Sequence, residues 1–215
     1  MNRFLKTSVV IMMAVMVFGC GAAREIQIKS ESIRSGIFNE IKDGDPIPKG
    51  FASMTIKATI KTHAEGYYLG ESKGSVHWKD GYPFLFNIDG QAIVWKVDGS
   101  KETKPLYDKD GKRSRDPEAG EGMKYVLEKK IKLPGGMHNI FFGLPEEQSF
   151  AKLNVNLEQE HEYLLEFRPV YNKKKVPTGI SPASIKVTSG VASFLNGISE
   201  YDALLNGHSL DTSAD

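Results

Sequence analysis

Ser53-Met-Thr-Ile-Lys-Ala-Thr-Ile-Lys61 sets Met54, Ile56, Ala58 and Ile60 on one side of an extended chain and Thr55, Lys57, Thr59 and Lys61 on the other. Alternation with a period of two is what a strand needs when one face is buried and the other is wet. The same pattern recurs on the C-terminal side. Phe84-Leu-Phe-Asn-Ile88 and Gln91-Ala-Ile-Val-Trp-Lys-Val97 flank Asp89-Gly90, a dipeptide that supplies the positive φ angles of a tight hairpin turn, and Asp98-Gly99 closes the second run. Residues 125–133, the turn Pro134-Gly135-Gly136 and residues 138–144 read as another hairpin. Residues 151–157 place Leu153, Val155 and Leu157 on one face, 158–161 make a turn, and 162–170 are again β-rich. Ser184-Ile-Lys-Val-Thr188 reads as the last strand. Many short strands with turn residues between them predict an all-β protein, an antiparallel sandwich or barrel, with an immunoglobulin-like β-sandwich taken as the fold class.

Outside the strands the pattern changes. Glu25-Ile-Gln-Ile-Lys29 alternates as a lead-in strand would. Ile33, Ile37 and Ile41 fall four apart, as on one helical face, although Gly36 weakens a helix and favours irregular chain. Asp43-Gly-Asp-Pro-Ile-Pro-Lys-Gly50 interrupts regular structure. Residues 100–122 are mostly polar and read as one long solvated loop, longer than ordinary connections. Near the end, Ser199 and Asp202 form a capping-box pair, Tyr201, Leu204 and Leu205 share a face, and Asn206-Gly207 is a stop signal. Together these predict a short C-terminal helix followed by a disordered tail.

The front of the chain is basic at Arg3 and Lys6 and then apolar from Val9 to Phe18, the layout of a secretory signal. That apolar run is roughly half the ~20 residues a transmembrane helix needs, so cleavage is expected rather than a permanent span. Val17-Phe18-Gly19-Cys20 resembles the lipobox of bacterial lipoproteins, with Val17, Gly19 and Cys20 in the matching positions. The resemblance implies lipidation of Cys20 by a diacylglycerol thioether and an N-acyl chain such as palmitate. Two such signals meet the requirement for stable anchoring. Gly21 in place of an inner-membrane retention Asp implies an outer-membrane destination, facing the periplasm or the cell surface. Cys20 is the only cysteine, so the remaining chain forms no internal disulfide.

These signals divide the chain into a signal peptide (1–19), a lipidated N-terminus with its lead-in strand (20–50), the β-sandwich (51–190), and a short helix with tail (191–215). The 28 Lys and Arg nearly balance the 27 Asp and Glu, and loss of the signal peptide removes Arg3 and Lys6 but no acid. A near-neutral chain without a basic face argues against nucleic acid as a partner and leaves membrane contact to the lipid. Ile131-Lys-Leu-Pro-Gly-Gly-Met-His-Asn-Ile140 and Tyr163-Leu-Leu-Glu-Phe167 resemble the second half of prealbumin-like and PEGA-like modules of bacterial envelope proteins. This likeness covers roughly residues 91–170. It implies a non-catalytic module and carries over no site residue.

Chemistry is sparse. His63, His77, His138, His161 and His208 show no H-x-H or H-E-x-x-H spacing, and no second cysteine completes a zinc site. His63 and His77 can meet across paired strands, but separate surface or turn histidines are the expectation. No G-x-S-x-G elbow, P-loop or dinucleotide-binding glycine pattern is present. Asp108, Asp110, Asp116, Glu118 and Glu121 gather hard oxygen ligands of the kind Ca²⁺ takes. The EF-hand order is missing, and Lys109, Lys112, Arg113 and Arg115 repel a cation, so a solvated mixed-charge loop is expected. Tyr67, Tyr68, Trp78, Tyr82, Phe84, Phe86 and Trp95 crowd into one stretch. Most should fill the core, while exposed members would make Tyr67, Tyr68, Trp78, Tyr82 and Trp95 ligand-binding aromatics. The resulting expectation is a membrane-anchored envelope lipoprotein, not an enzyme, with no cofactor and no metal. Its sandwich is an interaction or structural module for an envelope protein. The alternative is a carbohydrate- or peptidoglycan-binding module, and a hydrolase ranks third.

Overall fold

A computed structural model describes residues 21–63, 74–103, 107, 109–111, 121–171 and 198–210. Its elements run α1 (Gly21–Ser30), β1 (Asn39–Glu40), β2 (Phe51–Thr62), β3 (Tyr82–Ile88), β4 (Gln91–Val97), β5 (Ser100–Glu102), β6 (Gly122–Pro134), β7 (Gly136–Leu144), a 3₁₀ turn (Pro145–Glu147), β8 (Ser149–Leu157), β9 (Glu162–Tyr171), β10 (Ile198–Leu205) and β11 (His208–Leu210). They form two sheets. The larger has the order β1-β6-β2-β9-β10-β11 with β5 also on β6, and the smaller has the order β4-β3-β7-β8. Pairing is antiparallel except between β2 and β9, where Ser53–Ala58 run parallel to Glu162–Phe167.

The alternation in the sequence is the packing. Met54, Ile56, Ala58 and Ile60 of β2 and Tyr125, Leu127, Ile131 and Leu133 of β6 face inward. They meet Phe84, Phe86 and Ile88 of β3, Ile140, Phe142 and Leu144 of β7, and Leu153, Val155 and Leu157 of β8. Phe142 lies at the crossing point, its ring 4.9 Å from Phe86, 4.2 Å from Phe167 and 4.9 Å from Tyr201. Aromatic pairs at these separations add about 0.5–1.5 kcal/mol each beyond the area they bury.

Asp89-Gly90 turns the β3–β4 hairpin as expected, with φ of 50° and 94°. Four expectations are corrected. Residues 25–29 belong to helix α1 rather than a strand. Ala22, Ala23, Arg24 and Glu25 favour helix, and Ile26 seats against Leu85, Phe141 and Phe150 on the outer face of the smaller sheet. Residues 198–205 form a strand paired with β9 rather than a helix, and Asn206-Gly207, with φ of 51° and 81°, is the hairpin turn into β11. The Pro134-Gly135-Gly136 turn does not close a hairpin. β6 pairs with β2 while β7 pairs with β3 and β8, so the turn carries the chain from one sheet to the other. Lastly, the start of the expected long loop, Ser100–Glu102, is a strand on β6.

Residues 31–38 are irregular, with Gly36 at φ 76°. They are tied down by Gln91, whose Oε1 accepts from the N–H groups of Ile37 and Phe38 and whose Nε2 donates to the Phe38 carbonyl. Ser184–Thr188 and 211–215 lie outside the described residues. Among the described residues, no helix is long and apolar enough to cross a membrane.

Candidate functional site

One end of the sandwich is closed by tight turns, at 89–90, 134–136, 158–161 and 206–207. The opposite end holds the last residues of β2 and β5, the first of β3, β6 and β10, and the 3₁₀ turn after β7. Polar chemistry collects at this second end. β2 delivers His63 just past Thr62, and residues 74–81 return across the end of the sandwich bringing His77 and Trp78. Tyr125 fastens that return by donating its hydroxyl to the Lys79 carbonyl at 2.8 Å, and Ser75 Oγ accepts the His77 backbone N–H.

There His63 Nε2 lies 3.1 Å from His77 Nδ1, with the two rings at 90°. His77 Nε2 lies 2.8 Å from Glu147 Oε1, and the same oxygen accepts the Tyr82 hydroxyl at 2.9 Å. A carboxylate oxygen only accepts, so Nε2 of His77 carries its hydrogen and donates. In the neutral ring Nδ1 then accepts from His63. The result is a continuous chain, His63 to His77 to Glu147, with Tyr82 donating to Glu147 from inside the core.

The electrostatics fit these roles. Burial alone would raise the Glu147 carboxyl. The hydrogen bond from His77, the charge that ring carries when protonated, the Tyr82 hydroxyl and the corresponding charge of His63 outweigh it and hold the group below the ordinary carboxylate value. Burial, followed by the adjacent Glu147 charge, pushes the Tyr82 phenol well above its ordinary value, so Tyr82 remains a donor.

Trp78 completes the cluster. Its φ of 54° is a left-handed conformation that bulky residues rarely adopt, and it places the indole 5.4 Å from the His63 ring and 6.4 Å from the His77 ring. Strain of this kind persists where surrounding structure enforces it, and it gathers at functional positions. Trp78 also borders a cavity of about 240 Å³, lined in addition by Glu102, Thr103, Glu121 and Met123. The buried Lys61 ammonium pairs there with Glu102.

The remaining histidine chemistry is structural. His138 Nδ1 lies 2.6 Å from Asp89 Oδ2 and its Nε2 lies 2.8 Å from the Pro134 carbonyl, so the ring ties the β3–β4 turn to the crossing between sheets. A wider groove of about 530 Å³ lies beside α1, where Asn87, Asp89, Asn139 and Lys152 line it. Its polar groups are largely paired: Asn87 with the Lys29 carbonyl, Asp89 with His138 and Asn139, and Lys152 with Glu25.

Of the aromatics considered for ligand binding, Tyr82 and Trp95 are in the core at 0 % and 5 % exposure, and Trp95 Nε1 donates to Glu40. Trp78 is half-buried, while Tyr67, Tyr68 and Cys20 lie outside the described residues. Asp108, Asp116 and Glu118 of the acidic stretch also lie outside them. Among the described residues, no group of three or more His, Cys, Asp or Glu side chains converges as a metal cluster. The joining of His63 and His77 had a faint signal, a histidine at a strand end and another before Trp78. Glu147, the residue that orients His77, had none beyond its place in Pro145-Glu-Glu. No protein-family model, curated protein or solved structure matches this chain.

Proposed function

We propose that the chain is a bacterial lipoprotein anchored through Cys20, and that its sandwich is a non-enzymatic interaction or structural module of the cell envelope, at the outer membrane. The observation that carries the reading is α1. It begins one residue after Cys20 and is fixed to the smaller sheet by Ile26, by the Glu25–Lys152 ion pair at 3.2 Å and by the Asn87 side chain donating to the Lys29 carbonyl at 2.8 Å. A lipid on Cys20 would therefore hold the sandwich close to the bilayer in a restricted orientation, since no free tether intervenes between lipid and fold. Such coupling suits a module that presents a fixed face to an envelope partner.

Metabolic labelling with a fatty-acid analogue, followed by membrane fractionation, tests the reading. The wild-type chain should carry label and sediment with membranes, and Cys20→Ala should lose both. Label and membrane association retained by Cys20→Ala would refute it.

A further inference from the structure

We propose that His63 and His77 form a binding site for a borderline divalent transition cation such as Zn²⁺, with Glu147 and Tyr82 as the outer groups that prepare it. The site is independent of the lipid anchor. Metal-binding imidazole uses an unprotonated nitrogen, and the hydrogen bond made by the other nitrogen decides which one that is. In His77 the choice is made: Nε2 donates to Glu147 at 2.8 Å, so the lone pair sits on Nδ1, on the side of His63. Tyr82 fixes Glu147 in turn by donating to the same oxygen at 2.9 Å. A carboxylate behind a ligating histidine is the recurrent outer arrangement of metal sites, and it raises the basicity of the ring it supports.

The spacing suits an ion. Two nitrogens each about 2.0–2.1 Å from one Zn²⁺ and 3.1 Å from one another subtend an angle slightly below the tetrahedral one. An ion can thus replace the hydrogen now shared by the two rings once both tilt so that their lone pairs converge to one side of the line joining the nitrogens, with His63 then carrying its hydrogen on Nδ1. Charge helps as well, since the Glu147 carboxylate lies one imidazole away from the two ligating nitrogens. Access is through His77 and Glu147, whose side chains are 20 % and 17 % exposed. Among the described residues no further His, Cys, Asp or Glu completes a cluster, so water would fill the other coordination positions in an open and exchangeable site rather than a closed structural one. Two imidazoles favour Zn²⁺, Ni²⁺ or Cu²⁺ over Mg²⁺ and Ca²⁺, which prefer oxygen.

The test is calorimetric titration of the full chain in detergent with Zn²⁺, with Mg²⁺ in parallel. One equivalent of Zn²⁺ should bind and Mg²⁺ should not. His63→Gln and His77→Gln should each weaken Zn²⁺ binding at least tenfold, Glu147→Gln about tenfold or more, and His161→Ala should leave it unchanged. Should a variant fail to fold, imidazole ¹H–¹⁵N correlation spectra of the wild-type chain decide instead, because Zn²⁺ must move the ring nitrogens of His63 and His77 and not those of His138. Absence of saturable Zn²⁺ binding, binding that survives both glutamine substitutions, or ring shifts confined to other histidines would overturn the site.

Discussion

Asp89 does three jobs with one side chain and one backbone. Its φ of 50° makes half of the β3–β4 turn, its Oδ2 lies 2.6 Å from His138, and its Oδ1 accepts the Asn139 N–H at 2.8 Å. Burial alone would raise its carboxyl, but the Asn139 N–H and then the hydrogen bond and charge of His138 more than offset it, leaving the group below its ordinary value. A carboxyl lowered by folding contributes stability that is present above its unfolded value, near 4, and lost as pH falls through the lowered folded value. The melting temperature of the wild-type chain should therefore fall below about pH 4 more steeply than that of Asp89→Asn, which keeps the turn but not the charge. Parallel acid limbs in calorimetric scans would contradict this. Gly90 is constrained twice, by φ of 94° and by space, since a Cβ there would lie 2.8 Å from Ile33 Cγ1. Gly90→Val should cost at least about 1–2 kcal/mol from the backbone alone, read as a drop of several degrees in melting temperature. At this scale the sequence was readable where chemistry is local, because Asp-Gly demands its turn whatever surrounds it. It was silent on His138 and Glu147, whose partners are about fifty and seventy residues away along the chain.

Elements were legible in proportion to the number of alternations they carry. β2 has twelve residues and five inward apolar positions, Ala52, Met54, Ile56, Ala58 and Ile60, an alternation that no helix reproduces. Residues 25–29 and 201–205 are shorter, and each satisfies both periods. Tyr201 and Ala203 face the core as a strand, yet Tyr201, Leu204 and Leu205 would share a helical face equally well. Tertiary pairing settled both. β9 offered its open edge to residues 198–205, and the smaller sheet offered an apolar outer patch to Ile26. Turns posed a different ambiguity. Pro134-Gly-Gly136 marks a reversal, but whether flanking strands then pair or face one another depends on β2, already seated on β6. If α1 is held chiefly by Ile26, then Ile26→Ala should release it without unfolding the sandwich. Amide exchange within 21–30 should accelerate strongly while strands β2, β3 and β7 stay protected. Equal loss of protection throughout would mean that α1 is integral to the core rather than docked on it.

The whole molecule places its two ends in different physical regimes, and a loop replacement distinguishes them. The tight-turn end is fixed by local geometry, whereas the His63–His77–Glu147 end joins residues from distant elements and receives both ends of the polar stretch 103–121. Glu102 and Gly122 are direct partners across β5 and β6, so that stretch departs and returns at adjacent positions. Closing a loop costs entropy that grows by only about 0.6 kcal/mol per doubling of length. Replacing 103–121 with a five-residue Gly/Ser linker removes roughly two doublings and should stabilise by about 1 kcal/mol or be neutral, provided the anchoring contacts survive. Two of these can be named. Glu102 must remain for Lys61, since removing one partner of a buried ion pair typically costs several kcal/mol. Gly122 must remain because a Cβ there would lie 2.2 Å from the Thr62 carbonyl oxygen. The shortened chain should melt within a few degrees of wild type, and in the full chain trypsin should cut at Lys112, Arg113 and Arg115 at the same rate with and without millimolar Ca²⁺. Unfolding of the shortened chain, or Ca²⁺-dependent protection of those three bonds, would show that 103–121 is part of the fold or a cation site rather than a spacer between two paired strand ends.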